Sequence, residues 1–301
     1  MRRVMCGLLV VAVLMGCTSS AKRSAPPSAR DESVVVAAFN FSESRLLAEI
    51  YAQALELAGI PVRRQLDLGP RELVQPALLQ GLVDVVPEYV GTALQSLQPG
   101  VASSITHDLA VAQAALGQTV AAHQLAVLEA APAQDQNGLV MLASRAKALG
   151  VHTTSDLARH PELVLGGPPE CPSREFCLRG LQDVYGLTFA QFVPLTTQDQ
   201  ERTALEQGVA DVAVMFTTDG HLADPELTLL ADDRGLQPVE NVVPIVSQRV
   251  LDRYGPRLRQ ALDAVSAQLT TQNLTFLNWR VDIDGKNVAD EATGWLSRHS
   301  A

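Results

Sequence analysis

Apolar residues run without interruption from Val34 to Ala38 and then give way to a different spacing, in which Leu46, Leu47, Ile50, Ala54 and Leu55 recur on one helical face. The first pattern predicts a short buried strand. The second predicts an amphipathic helix that Ser42 can cap and Gly59 ends. The alternation continues with a strand at 62–68, a helix at 71–80 stopped by Gly81, a strand at 82–86 and a long helix at 107–123. A second run follows: strands at 139–143 and 163–165, a helix at 178–185, a strand at 189–193, a helix at 202–207 and a strand at 209–215. Strand signals at 227–230 and 242–246 lead into a mostly helical stretch, 249–298. Strands alternating with helices predict an α/β chain with parallel sheets covered by helices.

Within this pattern lies a near-repeat. Ala77-Leu78-Leu79-Gln80-Gly81-Leu82-Val83-Asp84-Val85 and Ala204-Leu205-Glu206-Gln207-Gly208-Val209-Ala210-Asp211-Val212 agree at six of nine positions. Both copies read as helix end, glycine cap, then strand. Five residues beyond each Asp stands an aromatic, Tyr89 or Phe216, and eight beyond stands a polar group, Thr92 or Asp219. Ligands of parallel α/β sheets sit beyond the carboxyl ends of strands, so two such halves facing each other make a cleft. Asp84 and Asp211 are expected to bond local backbone, Asp219 to be structural or at the cleft edge, and Asp232-Asp233-Arg234 to form a solvated turn.

Length and charge narrow the class. A chain of 301 residues is long for one core and favours two domains. Hydrophobic residues at 47% exclude disorder, and a formal net charge of -10 repels phosphate backbones, so no nucleic-acid partner is expected. Aromatics are only 4%, which gives weight to any ring at a site. Arg2 and Arg3, an apolar stretch to Met15 and Leu14-Met15-Gly16-Cys17 resemble a bacterial lipoprotein signal. That resemblance implies a signal peptide at 1–16, lipidation of Cys17 and a flexible tether at 17–33. Cys171 and Cys177 are an even pair in an exported chain and are expected to form a disulfide; no second pair or nearby His supports a metal site.

Enzyme signatures are missing. There is no Gly-x-Ser-x-Gly elbow, P-loop or His-Glu-x-x-His, and the six His are scattered. Neither catalysis nor a cofactor is expected.

Five segments, in order, carry a family likeness: Asn40-Phe41-Ser42-Glu43, Leu68-Gly69-Pro70-Arg71-Glu72, Pro87-Glu88-Tyr89-Val90-Gly91-Thr92, Thr217-Thr218-Asp219-Gly220 and Leu230-Ala231-Asp232-Asp233. They resemble the glycine betaine, carnitine and choline binding proteins of osmoprotectant ABC importers, the ProX/OpuAC-like type. The resemblance runs from about Val34 to the C-terminus. It implies a type II periplasmic-binding-protein fold, with lobe one at 34–136 and 240–301, lobe two at 137–239, and two hinge crossovers. The protein would act as a monomer, lipid-anchored outside the bacterial cytoplasmic membrane or in the periplasm, and would pass a small ligand to a permease driven by a separate ATPase.

The resemblance also implies site residues. Tyr89 matches a cage tyrosine, Thr92 a ligand hydroxyl, Arg174 a carboxylate-binding arginine and Asp135 an acidic residue near the cage. Phe216 keeps a ring without its hydroxyl, Asn137 and Glu240 stand where tyrosines are expected, and Phe39 replaces a polar or basic residue. Asn40 and Ser44, beside Phe39, complete the candidate set. Three functions remain open at this point: capture of a quaternary amine, the same transport role with another small polar or aromatic solute, and a surface sensor or adhesion protein without transport.

Overall fold

Val34–Ala37, apolar throughout, forms strand β1, buried on both faces. The computed structural model describes residues 32–99 and 106–299; the expected export signal, Cys17 and nearly all of the expected tether lie outside the described residues. Around β1 assembles a five-stranded sheet from β2 (Val62–Gln65), β3 (Val85–Tyr89), β4 (Leu125–Val127) and β10 (Val242–Ser247), in the order β2-β1-β3-β10-β4. A second sheet contains β5 (Asn137–Leu142), β6 (Val164–Gly167), β7 (Gln191–Pro194), β8 (Val212–Phe216) and β9 (Leu227–Leu229), in the order β7-β6-β8-β5-β9. In each sheet three parallel strands are followed by one that runs antiparallel to them, β10 or β5, and then by an edge strand antiparallel to that one. The two are built alike, with β1, β2 and β3 corresponding to β6, β7 and β8.

Helices cover both faces. In lobe one, α1 (Ser42–Leu57) packs with the C-terminal helices α9 (Pro256–Gln268), α10 (Thr271–Asp282) and α11 (Val288–His299) on one side of the sheet, around Leu46, Ile50, Leu262, Leu277 and Trp295. Helices α2 (Arg71–Leu79), α3 (Val90–Leu97) and α4 (Leu109–Ala121) cover the other side through Val74, Leu94 and Leu116. In lobe two, α6 (Leu178–Tyr185) and α7 (Gln198–Glu206) take equivalent places, after the short α5 (Ala143–Leu149); α8 (Gln248–Tyr254) follows β10. The chain crosses between sheets after β4 and returns before β10. The two crossings are tied to each other: the Asp135 amide donates to the Glu240 carbonyl at 3.0 Å, and Gln136 Nε2 to the Pro238 carbonyl at 2.7 Å.

The near-repeat has a physical meaning. Gly81 and Gly208 adopt φ of +70° and +68°, the left-handed conformation that ends a helix without steric penalty. Asp84 Oδ2 then accepts from the Val35 amide of β1 at 3.0 Å, and Asp211 Oδ2 from the Val164 amide of β6 at 3.0 Å. Each Asp also holds an arginine that begins a helix after an antiparallel strand, Arg249 at 2.6 Å or Arg145 at 3.2 Å. The aspartates are structural, as expected.

Three local expectations shift. The strand expected at 82–86 starts at Val85, because the glycine cap consumes the next residue: the Leu82 amide bonds the Ala77 carbonyl at 2.9 Å, and the Leu82 side chain is left exposed. The same cap in lobe two moves the strand expected at 209–215 to Val212–Phe216. Ser42 is the first residue of α1 and does not cap it; Phe41 occupies the cap position, and the Ser42 side chain bonds Asp282. Asp232-Asp233-Arg234 is an exposed segment with a turn at 233–234, as expected, and Asp232 anchors it by accepting from the Leu236 and Gln237 amides at 3.0 and 2.8 Å and from the Tyr185 hydroxyl. Cys171 and Cys177 are disulfide-bonded, with Cα atoms 5.2 Å apart.

Candidate functional site

Strand β3 ends at Tyr89, β8 ends at Phe216, and Phe39 and Phe41 follow the end of β1, so four rings collect at carboxyl ends of parallel strands. Between them and the facing loops lies a cavity of about 250 Å³. Phe41 is the central ring. Its centroid is 5.8 Å from Phe39, with planes 6° apart, 6.4 Å from Tyr89 and 5.2 Å from Phe216. Phe39, Phe41 and Tyr89 belong to the first lobe and Phe216 to the second, so the cluster spans both.

Acids gather beside the rings. Glu43, buried in the first turn of α1, accepts from the Tyr89 hydroxyl at 2.6 Å, the Thr218 hydroxyl at 2.5 Å and Asn278 Nδ2 at 2.6 Å. Thr218 follows β8, so Glu43 ties the two lobes. Asp135, buried on the first crossing, accepts from the Thr218 amide at 3.2 Å. Burial raises the pKa of Glu43, against the pull of hydrogen bonds from Thr218, Tyr89, Asn278 and Asp135. Burial, then the charge of Glu43, raises Asp135 well above the usual carboxylate range. Burial and the neighbouring acids likewise hold the Tyr89 hydroxyl protonated.

Glu240, on the return crossing, accepts from the Gly91 and Thr92 amides, each at 3.1 Å, and from the Thr92 hydroxyl. Burial pushes its pKa up to about 7, despite those bonds. Gly91 is required for this approach: a Cβ there would fall 2.5 Å from Pro238 Cγ and 2.8 Å from the Val239 carbonyl oxygen.

The cationic side chains of the cleft are already engaged. Arg71 lies over the Phe39 ring, 5.0 Å from its centroid, and forms a two-pronged pair with buried Glu88 at 3.2 and 2.8 Å. Arg174, inside the disulfide loop, pairs with Glu170 at 3.1 Å and, across the cleft, with Glu72 of α2 at 3.1 Å.

Nine of the ten candidate ligand-site residues line this one cavity: Phe39, Asn40, Tyr89, Thr92, Asp135, Asn137, Arg174, Phe216 and Glu240. Ser44 does not. It is buried behind the wall, where its hydroxyl accepts from the Phe39 amide at 2.9 Å. Asn137 faces the cavity but spends its amide on the Phe176 carbonyl at 3.1 Å. Sequence reasoning passed over Phe41, Arg71, Glu201 and Phe176, which also line it. For Phe41 a signal existed, since residues two apart after a strand share a side with Phe39. For the others the approach is made only in three dimensions.

Residues 32–298 match the OpuAC family, the substrate-binding domain of ABC-type glycine betaine transport systems. A glycine-betaine-binding protein of Pseudomonas aeruginosa is 29% identical over 296 residues, covering 94% of this chain and 93% of its own. The glycine betaine-binding protein YehZ of Escherichia coli is 26% identical over 273 residues, covering 85% and 87%. A crystal structure described as a glycine betaine/carnitine/choline ABC transporter superposes with a TM-score of 0.72 at 24% identity, over 89% of this chain and 99% of that one. Two similar α/β lobes joined by two crossings are the type II periplasmic-binding-protein fold. The chain belongs to the family of substrate-binding domains of ABC-type glycine betaine transport systems.

Proposed function

We propose that this protein captures a small quaternary amine between its lobes and delivers it to an ABC permease outside the cytoplasmic membrane, without catalysing a reaction. The single observation that supports the guest is the ring cluster of Phe39, Phe41, Tyr89 and Phe216 beside the buried acids Glu43, Asp135 and Glu240. A quaternary nitrogen has no N–H to donate, so ring faces and nearby negative charge are what can hold it. On entry it replaces the contact between Phe41 and Phe216 with ring–cation contacts. Glu240 holds Thr92 and the start of α3 in place, and Arg174, engaged by Glu72 across the cleft, serves closure.

The remaining parts of the reading follow from the sequence. Lobe one is taken as 34–136 with 240–301 and lobe two as 137–239. Cys17 carries the lipid, the tether at 17–33 spans to the membrane, and the protein works as a monomer with a permease and its ATPase.

A second reading keeps the transport role and changes the guest. Asn137 and Glu240 stand where two further rings are expected from the family resemblance, and both side chains are committed to local bonds. Calorimetric titration with glycine betaine, choline and carnitine separates the two: heat at micromolar to millimolar ligand supports quaternary-amine capture, and no heat with all three favours the second reading.

A further inference from the structure

Lobe two holds a second cavity, of about 170 Å³, lined by none of the four rings of the cleft. Its wall is mainly apolar, with Leu139, Leu181, Leu230, Leu236, Phe176 and Tyr185 among the lining side chains. Gln136 and Gln237 place it beside the two crossings, and Asn137, Phe176 and Val214 line both it and the cleft. Several polar groups of the wall are spent on neighbours. Gln136 Nε2 donates to the Pro238 carbonyl at 2.7 Å, Asn137 Nδ2 to the Phe176 carbonyl at 3.1 Å, and the Tyr185 hydroxyl to Asp232. Gln237 differs. It is 8% exposed, its Nε2 donates to the Phe176 carbonyl at 3.0 Å, and its Oε1 is buried without a partner. Among the described residues, no other buried side-chain atom of this wall is left so.

We propose that this chamber is a second binding site, separate from the cleft, for a small neutral molecule with a ring-sized apolar body and one O–H or N–H that Gln237 Oε1 accepts. Size sets the body: an apolar cavity of about 150 Å³ takes up a benzene-sized guest. Polarity sets the rest. A water needs two to four polar partners, and the side chains named above leave one free acceptor, so a mainly apolar guest suits this wall better than water does. Burying a charge against mainly aliphatic walls is costly, which makes the guest neutral. A buried acceptor without a partner costs stability, and a donor on the guest removes that cost. The chamber uses none of the rings or acids on which quaternary-amine capture relies, so the two can fail separately.

The test uses phenol and toluene, rings of nearly equal size of which only phenol carries a donor. Both are titrated calorimetrically into the full chain as wild type, Gln237→Leu, Leu181→Phe and Phe41→Ala. Wild type should bind both probes at micromolar to millimolar concentration. Gln237→Leu should weaken phenol by about fivefold, the net worth of one hydrogen bond, and keep toluene within about twofold. A general loosening of the lobe would weaken the two alike. Leu181→Phe, which extends a larger side chain into the chamber, should abolish both. Ala231→Leu fills the chamber from an exposed position and takes its place if Leu181→Phe fails to fold. Phe41→Ala, a change in the cleft, should leave both unchanged. No binding of either probe by wild type, a phenol loss in Gln237→Leu no greater than the toluene loss, or binding that survives the filled variants and is lost in Phe41→Ala would each overturn the chamber. Choline and glycine betaine, titrated separately, report on the cleft alone.

Discussion

Phe41 and Phe216 meet with ring centroids 5.2 Å apart and planes inclined by 36°, one ring from each half of the molecule. The contact is where the two lobes share an apolar surface at the mouth of strands β1 and β8. Phe41 also touches Phe39 and Tyr89, so it links every ring of the cluster. Removing it should cost more than removing any other ring. Phe41→Ala is expected to weaken quaternary-amine binding by about 2 kcal/mol and Phe216→Ala by about 1 kcal/mol, the range for desolvated ring–cation contacts. Equilibrium titration of the two variants checks the order.

The pair between Arg174 and Glu72 joins the lobes from partly exposed positions, 29% and 60% for the two side chains. Such a pair adds at most about 1 kcal/mol to stability. Glu72→Ala should therefore leave the melting temperature nearly unchanged, while weakening the guest several-fold by loosening closure. Were Arg174 instead the holder of a guest carboxylate, freeing it from Glu72 would strengthen glycine betaine binding. Small-angle scattering with and without ligand, alongside titration, reads the difference.

Four buried acids, Glu43, Asp135, Glu201 and Glu240, have raised pKa values, with burial first among the causes. A carboxyl whose folded pKa is raised holds its proton more tightly in the folded state than in the unfolded one. Its stabilising contribution is complete below the ordinary value of 4.5 and is lost as pH climbs through the folded value, about 7 for Glu240. The ligand-free protein should therefore melt at a lower temperature at about pH 7.5 than at about pH 5, by an amount on the order of 3 kcal/mol from Glu240 alone. A cationic guest favours the ionised acids, so its stabilising shift should be larger at the higher pH. Glu240→Gln should flatten both dependences. Scanning calorimetry across the window checks the sign.

The equivalent aspartates should not be equal in effect. Asp84 is almost wholly buried and accepts from the Val35 amide at 3.0 Å, the Ser247 hydroxyl at 2.7 Å and Arg249 at 2.6 Å. Asp211 has a side chain 25% exposed and, among the described residues, holds only the Val164 amide and Arg145. Asp84→Ala should destabilise by about 3 kcal/mol and Asp211→Ala by about 1 kcal/mol, measured by urea unfolding.

These residues also show what the amino-acid sequence reveals and what it conceals. The glycine caps, the two aspartates and the aromatics five residues beyond them are local in sequence, and their repetition was enough to foresee two sheets of one design. The disulfide was legible because only one cysteine pair remains after the expected export signal. The strand starts were misplaced by the same glycine caps, which draw Leu82 and Val209 into the helix terminus. Glu43 and Glu201 were invisible for another reason. A glutamate in the first turn of a helix is ordinarily solvated; Glu43 is buried among Tyr89, Asn278 and, from the other lobe, Thr218, and Glu201 is buried near Asp219. Phe41 sat within a recognised segment but its role depends on Phe216, 175 positions away.

A crystal structure of the protein with bound choline tests the account most directly. The trimethylammonium group should lie within about 6 Å of ring centroids from both lobes, Phe41 or Tyr89 on one side and Phe216 on the other. A guest resting on one lobe alone, or bound outside the cavity that these rings line, would contradict it.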